Sequence, residues 1–299
     1  MQPPTAPGLQ ARQTRGLPPG AESAVVSRLR AAGCVFAEDE ARILISAARN
    51  QADLDAMVRR RASGLPLEHV VGWADFCGLR IAVDPGVFVP RRRSEFLVRQ
   101  AAALVRQASP ASPVGQAWDP APDPAGAADG RRAVIIDLCC GSGAVGAALA
   151  AAIGGAELHA VDIEPAAVRC ARRNLAAAGG RAYLGDLYRP LPARLRGHVR
   201  VLVANAPYVP TAQIGLLPPE ARLHEPQVTL DGGADGLGVV RRVIAAARAW
   251  LEPGGWLLIE ASERQAPLAI AAIGDGGLLP ALASSDEFSA TVVIGTMPR

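Results

Sequence analysis

The apolar residues change their spacing as the chain advances, and each spacing predicts a different kind of element. Between Ser23 and Gly64 they recur at helical intervals: Val25, Val26 and Leu29, then Ile43, Leu44 and Ala47, then Leu54, Met57 and Val58. Three amphipathic helices are expected there, the first with Ser23 as N-cap and Gly33 as stop, the second over about 38–49, the third ending near Gly64. From Gly72 to Val89 the pattern turns to strand-like alternation (Trp73, Phe76, Leu79, Ile81, Val83), broken by Gly78 and by Asp84-Pro85-Gly86. That is the signature of a β-hairpin. A helix through Phe96, Leu97, Ala101 and Leu104 follows. From Ala133 onward short continuous apolar runs at 133–138, 157–162, 181–185, 199–204, 256–260 and 289–296 alternate with helical stretches at 144–152, 165–178 and 237–251. Runs apolar on both faces suit strands of a parallel sheet covered by helices on each side, so the expected fold class is α/β and doubly wound.

Two stretches carry no periodicity. Residues 1–20, rich in Pro, Gly and Gln, are expected to be a disordered tail, and 108–132, rich in Pro, Ala, Gly and Asp, a flexible insertion. The domain boundaries follow: a small helical domain over 21–67, a β-hairpin linker over 68–89, and a large domain over 90–299 that contains the insertion. The helical domain reads either as a cap or as a substrate-recognition domain.

Composition narrows the functional classes. The chain has 299 residues, half of them hydrophobic, and a net charge of +3, too mild for a dedicated nucleic-acid or membrane-surface protein. All 31 basic residues are arginine, which excludes any mechanism needing a catalytic lysine. The five cysteines, odd in number, lack metal-ligand spacing, so no metal site is expected. No signal peptide or membrane-spanning apolar run is visible, and the expectation is a reduced, cytoplasmic, monomeric protein. One charge cluster stands out. Arg91-Arg92-Arg93 precede a helix, where positive charge opposes the macrodipole and so calls for an explanation.

The apolar run at Val199–Ala204 ends abruptly in Asn205-Ala206-Pro207-Tyr208. Ligands of open α/β sheets sit beyond the carboxyl ends of such strands, and Pro207 stiffens the turn there. A second strand end lies at Asp137, which runs into Cys139-Cys140-Gly141-Ser142-Gly143 and an Ala-rich helix. Glycines let a ligand approach that backbone, and the helix start offers free N–H groups. Asp162, at the end of the next strand, suits the hydroxyls of a ribose. Asp186, in Gly185-Asp186-Leu187, suits the exocyclic amine of an adenine with Leu187 flanking the ring.

Two cofactors compete for this arrangement. Gly141, Gly143 and Gly146 spell the dinucleotide fingerprint. An acidic residue just before the loop, Asp137, points instead to S-adenosylmethionine, whose sulfonium and amino groups attract a carboxylate. Only the methyl-donor reading gives Asn205 to Tyr208 a use. A planar amide or arylamine nitrogen is a poor nucleophile, and two acceptors on its two N–H groups would hold it in line with the methyl. The Asn205 side chain and the Ala206 carbonyl offer those acceptors, and the Tyr208 ring can pack on the planar group.

The chain resembles the HemK/PrmC family of S-adenosylmethionine-dependent protein-glutamine N5-methyltransferases. The resemblance runs from about Gly64 to the C-terminus through GLPLEHVVGWADFCGLRIAVDPGVFVPRRRSEFLV, DLCCGSGAVGAALA, AVDIEPAAVRCARRNL, GDLY, NAPYVP, HEPQVTLDGGADGL, LEPGGWLLIEAS and ATVVIGT. It implies a helical N-terminal domain, a hairpin link and a Rossmann-like class I methyltransferase domain whose last strand is antiparallel. It also implies that Cys139, Cys140, Gly141, Ser142, Gly143, Asp162, Asp186 and Leu187 line the cofactor, and that Asn205, Ala206, Pro207 and Tyr208 hold the glutamine amide of a release factor or ribosomal protein. The chain departs from the family pattern with Ala206 for a proline, Cys139 for a glycine, and PRRRSE for Pro-Arg-Pro-Glu-Thr-Glu. Rival readings are an amino-methylating enzyme on nucleic acid, a small-molecule N-methyltransferase, and a non-catalytic methyl-donor-binding protein.

Overall fold

The computed structural model describes residues 20–108 and 132–299. The expected tail and insertion fall almost entirely outside them. The described chain divides after Val71 into two compact units.

The first unit is built from α1 (Ala21–Ala31), α2 (Ala37–Ala47), α3 (Gln51–Ala62) and the short α4 (Leu67–Val71). Val25, Leu29, Ala41, Leu44, Leu54, Val58 and Val70 form its core. Gly20, not Ser23, stands at the N-cap of α1. Helix α3 starts where Asn50 accepts the Asp53 N–H at 2.9 Å, a side-chain cap of the kind worth about 1 kcal/mol. In α2 the buried face is Ala37, Ala41 and Leu44, so the stripe is rotated from the expected Ile43 and Ala47. Residues 68–71, expected in the hairpin linker, belong to α4 and place Val70 in this core.

The second unit begins with the hairpin β1 (Trp73–Phe76) and β2 (Leu79–Ala82), turned at Cys77-Gly78 with φ of 50° and 74°. Positive φ at both central residues gives the right-handed twist a two-residue hairpin needs. Then follow α5 (Ser94–Gln107), β3 (Val134–Leu138), α6 (Ala144–Ile153), β4 (Glu157–Asp162), α7 (Pro165–Leu175), β5 (Arg181–Leu184), β6 (Val199–Ala204), α8 (Pro219–His224), α9 (Gly238–Ala247), β7 (Leu251–Ala261), α10 (Ala266–Asp275), β8 (Leu279–Ser285) and β9 (Ala290–Thr296).

Seven strands form one sheet in the order β5-β4-β3-β6-β7-β9-β8. Strands β5, β4, β3, β6 and β7 are parallel, and β9 inserts antiparallel between β7 and β8. This is the class I methyltransferase topology. Successive residues of the central strands alternate between two cores. Ile135, Val201, Val203 and Leu258 pack under α5, α6 and α7, whereas Ile136, Leu202, Ala204 and Leu257 pack under α9 and α10. Burial on both faces is why those strands read as unbroken apolar runs. The order reverses between β3 and β6, which places the β3 and β6 carboxyl ends side by side at the sheet's switch point. No helix among the described residues is long and apolar enough to cross a membrane.

Candidate active site

The loops after β3, β4, β5 and β6 open onto a single cavity of about 1220 Å³. It is lined by Asp137, Cys139, Cys140, Gly141, Ser142, Asp162, Asp186, Leu187, Asn205, Ala206, Pro207 and Tyr208. Of the residues singled out from the sequence, Gly143 is absent from the lining. It packs behind the loop, where a β-carbon would come within 3.1 to 3.3 Å of Ala171 and Leu175 on α7.

The loop between β3 and α6 is held from three sides. Asp162 accepts the Gly141 N–H at 2.8 Å on Oδ2 and the Glu164 N–H at 2.9 Å on Oδ1. Asn174 on α7 donates to the Ser142 carbonyl at 2.8 Å and grips β2 through both the N–H and the carbonyl of Ala82. Asp137 accepts the Gly146 N–H at 2.8 Å and so caps the start of α6. Cys139 adopts φ 55°, a left-handed conformation costing roughly 1–2 kcal/mol for a residue with a β-carbon. A glycine, which the resemblance led one to expect there, would not carry that cost. Leu187 and Ser289, with φ of 49° and 47°, line the same cavity. Backbone strain of this kind gathers where a ligand must be met.

The electrostatics of the cofactor end suit a cation. Asp137 is 1 % exposed, and burial pushes its carboxyl up to about 7 despite the Gly146 hydrogen bond, with Asp162 nearby adding to the rise. Burial likewise raises Asp162, opposed by its backbone N–H partners. No arginine among the described residues pairs with either carboxylate. Each oxygen that already accepts one backbone hydrogen keeps a second acceptor site. The residues present therefore fit a ligand with a positive charge and a ribose, as S-adenosylmethionine has. Asp186, expected to meet an adenine amine, has Oδ2 occupied by the Arg242 guanidinium at 2.6 Å, leaving Oδ1 for a ligand.

At the other end, Asn205 Nδ2 donates to Ser94 Oγ at 3.1 Å, and Ser94 Oγ donates to Glu260 Oε2 at 2.6 Å. Glu260 Oε1 accepts Arg93 Nε at 2.8 Å and the Tyr208 hydroxyl at 3.3 Å, and Arg93 also donates to that hydroxyl. Burial, and next the Glu260 charge, push Tyr208 up to about 12, so it stays a phenol at neutral pH. The Tyr208 carbonyl accepts Gln265 Nε2 at 2.8 Å. Glycines at 232 and 236 let the loop before α9 run beneath: a β-carbon on Gly236 would fall 2.2 Å from the Tyr208 carbonyl oxygen.

Sequence reasoning missed Ser94, Glu260, Glu225, Asn174 and Gln265. The signal for some was present in the arginine cluster. Arg91 pairs with Glu225, whose Oε1 also accepts the Val89 N–H at 3.2 Å, and Arg93 pairs with Glu260. Positive charge before α5 is stabilised by carboxylates brought from the distant strand end and from the turn after α8.

Residues 127–216 match the family model described as the methyltransferase small domain. The chain is 33 % identical over 241 residues to a release factor glutamine methyltransferase of Geobacter sulfurreducens, covering 80 % of this chain and 75 % of that one. A release factor glutamine methyltransferase of Gloeobacter violaceus is 37 % identical, covering 73 % of this chain and 69 % of its own length. A Streptomyces pristinaespiralis protein named 4-amino-L-phenylalanine/4-methylamino-L-phenylalanine methyltransferase is 36 % identical, covering 68 % of this chain and 63 % of that one.

Proposed function

The chain belongs to the release factor glutamine methyltransferase family, and from that premise we propose that it methylates the side-chain amide nitrogen of a glutamine in a release factor or ribosomal protein. The observation that carries the reading is the position of Asn205. It stands at the end of β6, beside the β3–α6 loop and on the same cavity, with its amino group already committed to Ser94.

S-adenosylmethionine supplies an electrophilic methyl group on a positively charged sulfur. Asp162 would hold its ribose, Asp137 its cationic end, and Leu187 with the second oxygen of Asp186 its adenine. Cys139 to Ser142 would shape the wall between them. On the substrate side, Asn205 Oδ1 and the Ala206 carbonyl each accept one N–H of the carboxamide. This fixes the amide plane and aims the nitrogen at the methyl, which is where most of an orientation effect lies. Held in this way, the amide nitrogen would take the methyl group as the methyl–sulfur bond is given up to a neutral thioether, and would release one proton to solvent. Tyr208, kept neutral by burial, serves as a flat surface for the amide and not as the base.

An arylamine nitrogen, as in the name of the Streptomyces relative, offers the same planar pair of N–H groups. The release factor glutamine methyltransferases among the relatives favour a polypeptide. A cavity of about 1220 Å³ has room for the cofactor together with an acceptor of either kind.

The test is incubation with labelled S-adenosylmethionine and, in turn, purified release factors, ribosomal proteins and 4-amino-L-phenylalanine, followed by mass spectrometry. Label is expected as N5-methylglutamine in a protein. Asn205→Ala should lower the rate about 10²–10³-fold with cofactor binding retained. Label on the free amino acid alone, label nowhere, or full activity in Asn205→Ala would overturn the reading.

A further inference from the structure

We propose that Ser94 and Glu260 are positioning residues that oblige Asn205 to turn its carbonyl oxygen, and not its amino group, toward the reacting nitrogen. The inference rests on the role given to Asn205 above. It concerns what makes an asparagine, whose two ends are nearly the same shape, act as an acceptor only.

The argument is one of hydrogen-bond polarity. Glu260 lies at the end of β7, 2 % exposed, and a carboxylate has no proton to give. Ser94 opens α5, 1 % exposed, and owns a single hydroxyl proton. At 2.6 Å that proton is spent on Glu260 Oε2. Toward Asn205, 3.1 Å away, the hydroxyl can then only accept. The group facing it must be the amino group, so Oδ1 takes the other branch of the amide fork. A reversed Asn205 would set its carbonyl against the serine lone pairs with no proton between them, leaving the buried Ser94 oxygen and the half-buried Asn205 oxygen facing each other unpaired. An amino group presented to the substrate would meet the substrate's own N–H groups and hold nothing.

The anchor of this chain is itself oriented. Glu260 Oε1 takes Arg93 Nε at 2.8 Å and the Tyr208 hydroxyl at 3.3 Å, so the carboxylate presents its second oxygen to Ser94. One buried carboxylate thus governs both polar members of the Asn205–Tyr208 loop, through Ser94 on one side and directly on the other. Ser94, Asn205, Tyr208 and Glu260 all line the cavity, so the chain of bonds borders the space where substrate would lie.

The geometry makes Glu260→Gln a change of sign. Arg93 Nε, a donor, keeps the glutamine oxygen in the Oε1 place, so the amino group falls opposite Ser94 and donates to it. The serine proton then swings to Asn205 and draws Oδ1 round. The full-length protein is assayed with S-adenosylmethionine and a purified release factor, alongside cofactor affinity by calorimetry and the melting temperature. Ser94→Ala is expected to lower kcat about 10-fold and Glu260→Gln about 100-fold, with cofactor Kd held within about twofold and Ser94→Thr restoring most of kcat. Adding Ser94→Ala to Glu260→Gln should make activity no worse, because the reversing proton is gone. Wild-type kcat in Ser94→Ala, or Ser94→Thr no better than Ser94→Ala, overturns the proposal. An unmodified chain that transfers no methyl group to any protein would end the glutamine reading instead. The relay is then judged on the Asn205 side chain in ¹⁵N-labelled protein: its amide protons should exchange with solvent about 10-fold faster in Ser94→Ala, and unchanged exchange overturns it.

Discussion

Each unit of the molecule holds an arginine–glutamate pair with little of the glutamate exposed, and the two pairs are built to different ends. In the helical unit Arg61 lays Nε and Nη2 on the two oxygens of Glu40, at 2.6 and 3.1 Å, and spends Nη1 on the Leu65 carbonyl. Arg61 is buried and Glu40 largely covered, 7 % and 13 % exposed, and the glutamate gives each oxygen to the same guanidinium. In the second unit Arg93 meets only one oxygen of Glu260 and is 43 % exposed, while the glutamate is 3 % exposed and turns its other oxygen to Ser94. In the first pair one guanidinium takes both carboxylate oxygens and fastens α2 to α3. The second pair is left open on one side, and that opening passes its polarity to Asn205. A closed ion pair is a structural clasp, whereas an open one can instruct a neighbour.

The comparison can be broken most decisively at the closed pair. Arg61→Met should destabilise the helical unit by about 3–5 kcal/mol in urea titration, because it strands a buried carboxylate, and Arg61→Met with Glu40→Leu should recover most of that loss. Recovery failing would mean the clasp is valued for its charge. Arg93→Met should cost only about 1–2 kcal/mol, since Arg93 is half in water and Glu260 keeps Ser94 and Tyr208 as donors, yet it should depress methyl transfer more than stability. Equal losses from both substitutions would erase the distinction.

The smallest expected effect concerns a buried carboxylate at the cofactor end, Asp137. Asp137 is raised to about 7 from an ordinary carboxylate value, so its protonated form favours the folded protein at low pH and that benefit is lost as pH rises through about 7. A cationic cofactor reverses the preference and asks Asp137 to be ionised. Cofactor affinity measured by calorimetry should therefore fall as pH drops below 7, on the order of tenfold per unit at most, and Asp137→Asn should flatten that slope. An unchanged slope in the variant would separate Asp137 from cofactor binding.

How far the sequence foretold this architecture varied with burial. Strands β3, β4, β6 and the inner half of β7 lie in the sheet's interior, where both faces demand apolar residues, and their limits were legible to within a residue or so. Strand β8, LPALASS, was not, because an edge strand exposed along most of its length carries no apolar period and contains Pro280. Helix α10, APLAIAAIGD, escaped as well. Its alanines blur the polar stripe that marks an amphipathic helix. At the site, Asn205, Tyr208, Asp137 and Asp162 could be picked out because each stands at the carboxyl end of a buried strand or in the turn just after it. Ser94 and Glu260 could not, since they stand 166 positions apart and meet only when α5 crosses β7. What the chain did disclose was an unexplained charge: arginines at a helix start, awaiting carboxylates that only the folded sheet supplies.

The glycines beneath Tyr208 bear on how this loop can change over generations. A β-carbon at Gly232 would sit 2.4 Å from the Gly236 carbonyl oxygen and 2.7 Å from that of Pro207, and one at Gly236 would strike the Tyr208 carbonyl and Gln265. The segment before α9 and the Asn205–Tyr208 loop are thus interlocked like stacked plates, and neither can be remodelled alone. Ala206 shows where freedom remains. An alanine leaves the backbone freer to turn than a proline would, and its side chain takes no part in the close glycine contacts below, so the stiffness of this loop is one property the interlock leaves open to change.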